Sequence, residues 1–244
     1  MAPRLFVLTG AGISAESGLA TFRGQDGLWE NHRIEEVASI EGYRENPALV
    51  QRFYNLWRAG LVAPEIGPND AHKALVELEK RWPGEFLLVT QNVDDLHERA
   101  GSKNLIHMHG ELLKVRCETT ERVFEWRQDL NEDTRCECCG DVRTLRPNIV
   151  WFGEMPMRMD EIYEYLEGCG IFISIGTSGL VYPAAGFISV AKTNPGIQTF
   201  EVNMDLTPLT AMFDEQLGGP ATKILPGLVA RLLQKFGSRN YWSR

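Results

Sequence analysis

The feature that most constrains this chain is a short apolar run that stops abruptly in glycines: Leu5-Phe6-Val7-Leu8-Thr9 is followed by Gly10-Ala11-Gly12-Ile13-Ser14-Ala15-Glu16-Ser17-Gly18. A run that is apolar at every position, without alternation, reads as a strand buried on both faces, the habit of parallel sheets. The glycines then read as a tight turn into a helix. Gly10, Gly12 and Ala15 stand in the pattern G-x-G-x-x-A. That spacing lets the backbone approach a pyrophosphate, whose charge is met by the N-terminus of the following helix. The same glycines would also serve an ordinary strand–helix turn. A dinucleotide fold of the usual kind adds an acidic residue at the end of a second strand about 20 residues on. Here that region reads Gln25-Asp26-Gly27-Leu28-Trp29-Glu30, which is loop-like. The residue that meets the adenosine ribose is therefore expected elsewhere.

The opening pattern recurs. Phe86–Val89 runs into Thr90-Gln91-Asn92-Val93-Asp94, Leu105–Met108 into His109-Gly110, Ile171–Ile175 into Gly176-Thr177-Ser178-Gly179, and Thr199–Val202 into Asn203-Met204-Asp205. Each is an apolar strand whose C-terminal end carries glycine or a small polar group. In an open parallel sheet the ligand crevice lies outside those ends, so five separate segments are expected to converge on one site. Helical patterns alternate with the strands. Asn46-Pro47 begins one that runs to about Ala59 and is closed by Gly60, and Gly67-Pro68-Asn69 opens the next, ended by Trp82-Pro83-Gly84. Further helices are expected at Asp160–Leu166, Ala184–Lys192 and Pro226–Phe236. The fold class is α/β, a doubly wound, Rossmann-like parallel sheet. Two insertions break its rhythm, and we assign both to a smaller helical and zinc-ribbon-like module beside the sheet.

A formal charge of -8 argues against nucleic acid as the main partner and is compatible with a lysine-rich protein substrate. The uncharged stretch from Gly168 to Ala191 is broken by five glycines and Pro183, so it reads as buried sheet and not as a membrane span. Nothing at Met1-Ala-Pro-Arg4 resembles a signal peptide, and a cytoplasmic location is expected. Four of the five cysteines fall within 117–139, which looks like a metal cluster more than a disulfide framework. A zinc ribbon wants C-x2-C, a gap of about 15–20 residues, and a second C-x2-C. Cys136 and Cys139 form the second pair and Cys117 one member of the first, but position 120 is Thr120. Cys138 as a substitute, water as the fourth ligand and a zinc-less ribbon all stay open. Cys169 reads as a buried small hydrophobe, and His72 as a structural hydrogen-bonding residue.

The run from Gly10 to Arg23, with Thr21-Phe22-Arg23 at its end, closely resembles the signature of the sirtuins, the NAD-dependent protein-lysine deacylases, and most of all the bacterial CobB type. Gln91-Asn92-Val93-Asp94, His107-Met108-His109-Gly110, Gly176-Thr177-Ser178 and Asn203 resemble four further motifs of that family in the right order, so the likeness spans about residues 5–225. It implies one catalytic domain over 1–244, with a larger part of about 1–33, 62–110 and 144–244 and a smaller module of about 34–61 and 111–143. It also implies NAD as cofactor, with Gly10, Ala11, Gly12, Ser14, Gly176, Thr177 and Ser178 around the phosphates and Asn203 on the adenosine ribose. Asp94 would face the nicotinamide carboxamide, Gln91 and the catalytic Asn92 the nicotinamide ribose, with Phe22 and Arg23 on a loop above. His109 would be the general base.

The chemistry supports that choice. An acyl-lysine oxygen attacks the ribose carbon as nicotinamide leaves, and a ribose hydroxyl must then lose a proton, a task that suits an imidazole near neutral pH. His107 is read as structural and turned to the opposite face. The expected products are nicotinamide, O-acyl-ADP-ribose and free lysine. ADP-ribosyl transfer and a non-catalytic NAD-binding module are the alternatives, and the second has no use for a base. Sirtuins that accept succinyl-lysine carry a tyrosine and, three residues on, an arginine. Here Tyr54 is followed by Trp57, with Arg58 beside it. An indole offers one N–H and no charge, so the substrate pocket of Tyr54 and Trp57 is expected to favour acetyl over succinyl groups and to weaken desuccinylase activity.

Overall fold

The structure, a computed structural model, describes residues 2–19 and 32–237 together with the backbone of 28–29. Phe22 and Arg23 lie outside the described residues. In chain order the strands and helices are β1 (Arg4–Thr9), β2 (Leu28–Trp29), β3 (His32–Arg33), α1 (Ile34–Val37), α2 (Ile40–Glu45), α3 (Pro47–Leu61), α4 (Asp70–Arg81), β4 (Phe86–Thr90), α5 (Leu96–Ala100) and β5 (Leu105–His107). They continue with β6 (Gly110–Cys117), β7 (Val123–Glu125), β8 (Leu145–Ile149), α6 (Met159–Glu167), β9 (Cys169–Ile175), α7 (Phe187–Ala191), β10 (Gln198–Asn203), β11 (Glu215–Gly218) and α8 (Ala221–Phe236).

Six strands form one parallel sheet in the order β11-β10-β9-β1-β4-β5. All five expected strands are in it, and their C-terminal ends share one edge. Alternate residues of β1 feed opposite cores. Leu5 and Val7 pack with Leu75 and Leu78 of α4 and Leu225 and Leu228 of α8, while Phe6 and Leu8 pack with Ile162 of α6 and Phe187 of α7. Those two filled faces are why the strands read as continuous apolar runs. The sixth strand, β11, was not expected from the sequence. It is an edge strand reading Glu-Gln-Leu-Gly, half in solvent, and carries no apolar run to mark it.

Strand order reverses beside β1, because the chain proceeds through β4 and β5 on one side and then returns to β9, β10 and β11 on the other. That reversal opens a crevice between the ends of β1 and β9. The two ends meet backbone to backbone. Gly10 N donates to Ile175 O at 3.0 Å and Gly12 N to Gly176 O at 2.9 Å. A Cβ on Gly12 would lie 2.7 Å from Gly176 Cα, and one on Gly176, whose φ is +61°, would lie 2.6 Å from Ile13 N. These glycines therefore let two strand ends close on each other, besides any ligand they receive.

The expected helix after Gly12 is instead two separate 3-10 turns, Ala11–Ile13 and Ala15–Ser17, ended by Gly18 at φ +88°. Ser17 and Ser14 sit where a helix would have continued, and the left-handed glycine stops the second turn. Other boundaries move by less. Asn46 caps α3 through Leu49 N at 3.0 Å as expected, but the helix runs through Gly60 to Leu61. Ala184–Gly186 is a 3-10 turn before α7, and α8 begins five residues before Pro226, which stands inside the helix and removes one backbone donor there.

The two insertions pack beside this sheet. Helices α1 to α3 share a core with Leu112 and Leu113 of β6 and with Ile149 and Trp151 at the end of β8. β6 pairs antiparallel with both β7 and β8 in a three-stranded sheet. Among the described residues no helix is long and apolar enough to cross a membrane.

Candidate active site

A cavity of about 550 Å³ lies against the C-terminal edge of the parallel sheet and extends under α3. Gly10, Ala11, Gly12, Ser14, Gln91, Asn92, Asp94, His109, Gly176, Thr177, Ser178, Asn203, Tyr54 and Trp57 all line it. Five strand ends and one helix thus bring together every described residue the sequence assigned to cofactor, base or acyl group.

The end between β1 and β9 is mostly backbone, the paired turns of Gly10-Ala-Gly12 and Gly176-Thr-Ser178. Asn203 bridges from the neighbouring strand, its Nδ2 donating to Thr177 O at 2.7 Å while its Oδ1 accepts from Met204 N at 3.0 Å. At the other end Ser14, Asn92 and Asp94 form a closed polar set. Asn92 Nδ2 donates to Ser14 Oγ at 3.1 Å, and Ser14 Oγ donates to Asp94 Oδ2 at 3.0 Å. Asp94 Oδ1 accepts from Leu96 N at 3.1 Å. Burial raises the Asp94 carboxyl above the ordinary value, opposed by these hydrogen bonds.

The loop 91–94 is held along its length. Gln91 N donates to Thr9 O, Asn92 N to Thr90 Oγ1 at 3.1 Å, and Leu112 N to Val93 O at 2.8 Å. Behind it Thr9 Oγ1 donates to Thr90 Oγ1 at 2.8 Å and is itself 3.0 Å from His97 Nε2. His72 packs on His97 with ring centroids 4.9 Å apart and has Nδ1 3.0 Å from Asn69 Oδ1, the hydrogen-bonding role expected of it. Burial pulls His72 down to about 4.

His109 Nδ1 lies 3.1 Å from Gln91 O. A carbonyl can only accept, so Nδ1 carries the proton and the neutral ring keeps its lone pair on Nε2. Burial lowers the His109 pKa, with the Gln91 bond working against it. The imidazole therefore stands neutral near pH 7, in the tautomer a base requires. His107 does point elsewhere, but the reason differs from the expected one. Residues two apart on a strand share a face; β5 ends at His107, and the turn at Met108-His109 is what separates the rings.

The end under α3 is aromatic. Tyr54 and half-buried Trp57 stand with ring centroids 6.0 Å apart, and Trp151 Nε1 donates to Tyr54 Oη at 2.9 Å. Trp151 is in turn clamped by Arg146, whose guanidinium lies 3.5 Å over its ring and is bidentate to Glu154 at 2.8 and 2.9 Å. Trp151 was missed from the sequence because β8 reads Leu-Arg-Pro-Asn-Ile, with polar residues at buried positions. Arg58 does not replace the missing arginine. It is 1% exposed and points away from the cavity, its Nε donating to Leu112 O at 3.1 Å and its Nη1 to Asn55 Oδ1 at 2.9 Å, and burial pulls it down to about 10. Among the described residues lining the cavity there is no arginine or lysine.

The cysteines form a separate centre. The sulfurs of Cys117, Cys136, Cys138 and Cys139 all lie within 4.8 Å of one another, with Cys117 to Cys139 at 3.8 Å and Cys136 to Cys138 at 3.2 Å. Four sulfurs about 2.3 Å from a tetrahedral zinc would be about 3.8 Å apart, so the set fits that ion. Cys138 completes it where Thr120 stands, 2.9 Å away. Cys169 is buried in β9, apart from the cluster.

The Sir2 family model matches residues 10–183, and the chain belongs to the Sir2 family. It is 55% identical over 232 residues to an NAD-dependent protein deacylase of Salmonella typhimurium, covering 95% of this chain and 85% of that one. With the NAD-dependent protein deacylase of Pasteurella multocida it shares 56% identity over 230 residues, 94% of this chain and 98% of the other. Among solved structures, a Sir2 homologue in complex with NAD superposes with a TM-score of 0.85 at 40% identity, covering 96% of this chain and 91% of that one. A Sir2 protein bound to acetylated peptide gives 0.77 at 26% identity, covering 95% and 92%.

Proposed function

We propose that this chain is an NAD-dependent protein deacylase of the sirtuin type, acting on acyl-lysine side chains of proteins or peptides, with His109 as general base. The observation that carries the reading is the convergence, in one cavity, of a pair of glycine-lined strand-end turns, the Ser14–Asn92–Asp94 set and a neutral, part-buried imidazole.

Bound NAD supplies the electrophilic ribose carbon, the nicotinamide leaving group and the hydroxyl that finally takes the acyl group. The paired turns at Gly10, Ala11, Gly12 and at Gly176, Thr177, Ser178 receive the phosphates, and Asn203 meets the adenosine ribose. Phe22 and Arg23 join this cofactor set by resemblance. Ser14, at the edge of the first turn, joins the phosphate set and donates to Asp94; Asp94 orients the carboxamide, and Gln91 and Asn92 hold the nicotinamide ribose. His109 Nε2 takes the hydroxyl proton, a transfer for which its lowered pKa and fixed tautomer prepare it. Tyr54 and Trp57 enclose the acyl chain and exclude water from it. With Trp57 in place of an arginine and Arg58 turned away, a succinyl carboxylate would enter unpaired, so acetyl is the favoured group.

Cys117, Cys136, Cys138 and Cys139 would hold a zinc ion that ties β6 to the loop before β8 and takes no part in the chemistry. We read the chain as one catalytic domain, with the helical insertion and the cysteine ribbon as its smaller module. The acidic net charge and the grouping of four cysteines as a metal-type cluster favour a cytoplasmic enzyme with protein substrates over one that binds nucleic acid or membrane.

The test is His109→Ala assayed with NAD and an acetyl-lysine peptide, following free nicotinamide and deacetylated peptide by mass spectrometry. Turnover should fall about 10²–10⁴-fold with NAD affinity largely kept. Wild-type turnover in the variant would remove His109 from the mechanism.

A further inference from the structure

Two successive carbonyls of the 91–94 loop are each met by the Nδ1 of a histidine, Gln91 O by His109 at 3.1 Å and Asn92 O by His107 at 3.0 Å. The second ring differs from the first in what its other nitrogen meets. His107 Nε2 lies 2.6 Å from Glu98 Oε1 on α5, and the His107 side chain is 8% exposed. Both partners of His107 can only accept a hydrogen bond. A neutral imidazole has a single N–H, so it would leave a lone pair facing either the Asn92 carbonyl or the Glu98 carboxylate, whereas an imidazolium satisfies both.

We propose that Glu98 and His107 form a positioning pair that fixes the backbone of Asn92, and through it the amide that faces the reacting ribose. The pair rests on the role given to Asn92 above. From Asn92 the hold passes to Ser14 Oγ at 3.1 Å and on to Asp94 at 3.0 Å, so one peptide carbonyl governs three polar side chains of the site.

The surroundings of His107 favour its charged form. Glu98 faces it from α5, Glu111 from β6 and Asp94 from the loop; Lys114 of β6 is bonded to Glu111 at 2.7 Å, and His97 of α5 is buried and neutral. Burial alone would lower the His107 pKa, but the Glu98 hydrogen bond and charge, aided by Glu111, outweigh it and raise the value above the ordinary 6.5. A group whose folded pKa is raised contributes fully below its unfolded value, and the contribution is lost as pH rises through the folded one. The pair thus holds Asn92 most firmly below the ordinary histidine value of about 6.5 and loosens as pH rises through the raised His107 value.

The experiment measures kcat and KM from about pH 6 to about pH 10 on wild type, Glu98→Gln and His107→Gln, with the histidine rings titrated by NMR in the same proteins. In the wild type kcat should fall with an alkaline limb that coincides with the His107 ring titration. Glu98→Gln should move limb and ring together to lower pH by about one unit. His107→Gln should lower kcat about tenfold without that limb, leaving KM for the acyl peptide within about twofold. A limb that stays in place while the ring titration moves, or a His107→Gln enzyme with wild-type kcat and pH profile, overturns the pair. His109→Ala separates the two levels: if it keeps turnover, the reading of the site fails and the pair with it. If it is inert while both variants at the pair behave as wild type, the pair alone fails.

Discussion

At the strand-end side of the cavity, where we place the phosphates, the wall is backbone, brought so close that a Cβ on Gly176 would stand 2.6 Å from Ile13 N; under α3, where we place the acyl group, it is side chain, with Tyr54, Trp57 and Trp151 packed ring against ring. The first wall is made by two strands of one sheet that have no freedom to separate, since β1 and β9 pair along their whole length. The second is assembled from α3 and the end of β8, which meet only because the smaller module folds against the sheet. A backbone wall recognises what all substrates share, whereas a side-chain wall can be changed one residue at a time. On this comparison cofactor binding should be intolerant of substitution and acyl choice should be tunable.

The largest effect is expected where the backbone wall is broken. Gly176→Ala places a side chain at φ +61° with a contact of 2.6 Å to Ile13 N. A non-glycine residue in that region costs about 1–3 kcal/mol. Displacement of the turn should weaken NAD by about 100-fold, or about 2.7 kcal/mol. Calorimetric titration of NAD decides it, and unchanged affinity would mean that the close approach of β1 and β9 is not what forms the phosphate site.

At the side-chain wall the effect should be smaller and in the direction of gain. Trp57→Arg gives a succinyl carboxylate a guanidinium partner and should raise kcat/KM on succinyl-lysine peptide about tenfold, or about 1.4 kcal/mol, while acetyl turnover falls or holds. Wild type that prefers the succinyl peptide, or a variant without gain, would show that acyl choice is set elsewhere.

The cysteine centre should act on stability and leave the chemistry alone. Cys138→Ser is expected to reduce bound zinc and to lower Tm by about 5 °C, given about 2–4 °C per kcal/mol in a chain of this size, with kcat of the folded fraction unchanged. Cys169→Ser, buried in β9 away from the cluster, should leave zinc content as it was. Equal metal content in Cys138→Ser and wild type would reassign the fourth ligand.

The smallest shift concerns pH. His109 must be neutral to take a proton, and burial lowers its pKa. The acid limb of kcat/KM should therefore lie below the ordinary histidine value of about 6.5, with activity lost as pH falls through it. A limb above that value would place His109 in a wetter or more acidic setting than the cavity shows.

Much of the backbone wall was legible in the sequence because its requirements are local. Gly10, Gly12 and Gly176 stand at the ends of apolar runs, and Gln91-Asn92-Val93-Asp94 and His109 follow others, so strand-end chemistry could be read off one segment at a time. The same habit misled where a local pattern had two outcomes. G-x-G-x-x-A suggested a helix, yet the chain makes two 3-10 turns there. β8 stayed hidden because Arg146 and Asn148 are buried by pairing and not by apolarity. Arg58 illustrates the limit most directly: four residues after Tyr54 on a helix, its reach toward the acyl pocket could not be decided until Leu112 O and Asn55 were seen to hold it.

What the sequence determined by itself is the parallel sheet, the position of the crevice and which strand-end residues line it, since period, glycine and chain order fix those without reference to distant partners. What the tertiary structure decided is the charge state and direction of individual groups. His107 and His109 differ by two positions, yet one is turned to a carboxylate and the other stands neutral and part-buried in the cavity wall, because a strand ends between them and α5 supplies Glu98 to only one. Cys138 enters the metal cluster for the same kind of reason: the fold brings its sulfur to the corner that Thr120 leaves open. Protonation and ligation depend on which groups lie within a few ångströms, and that distance is set by the packing of segments far apart in the chain.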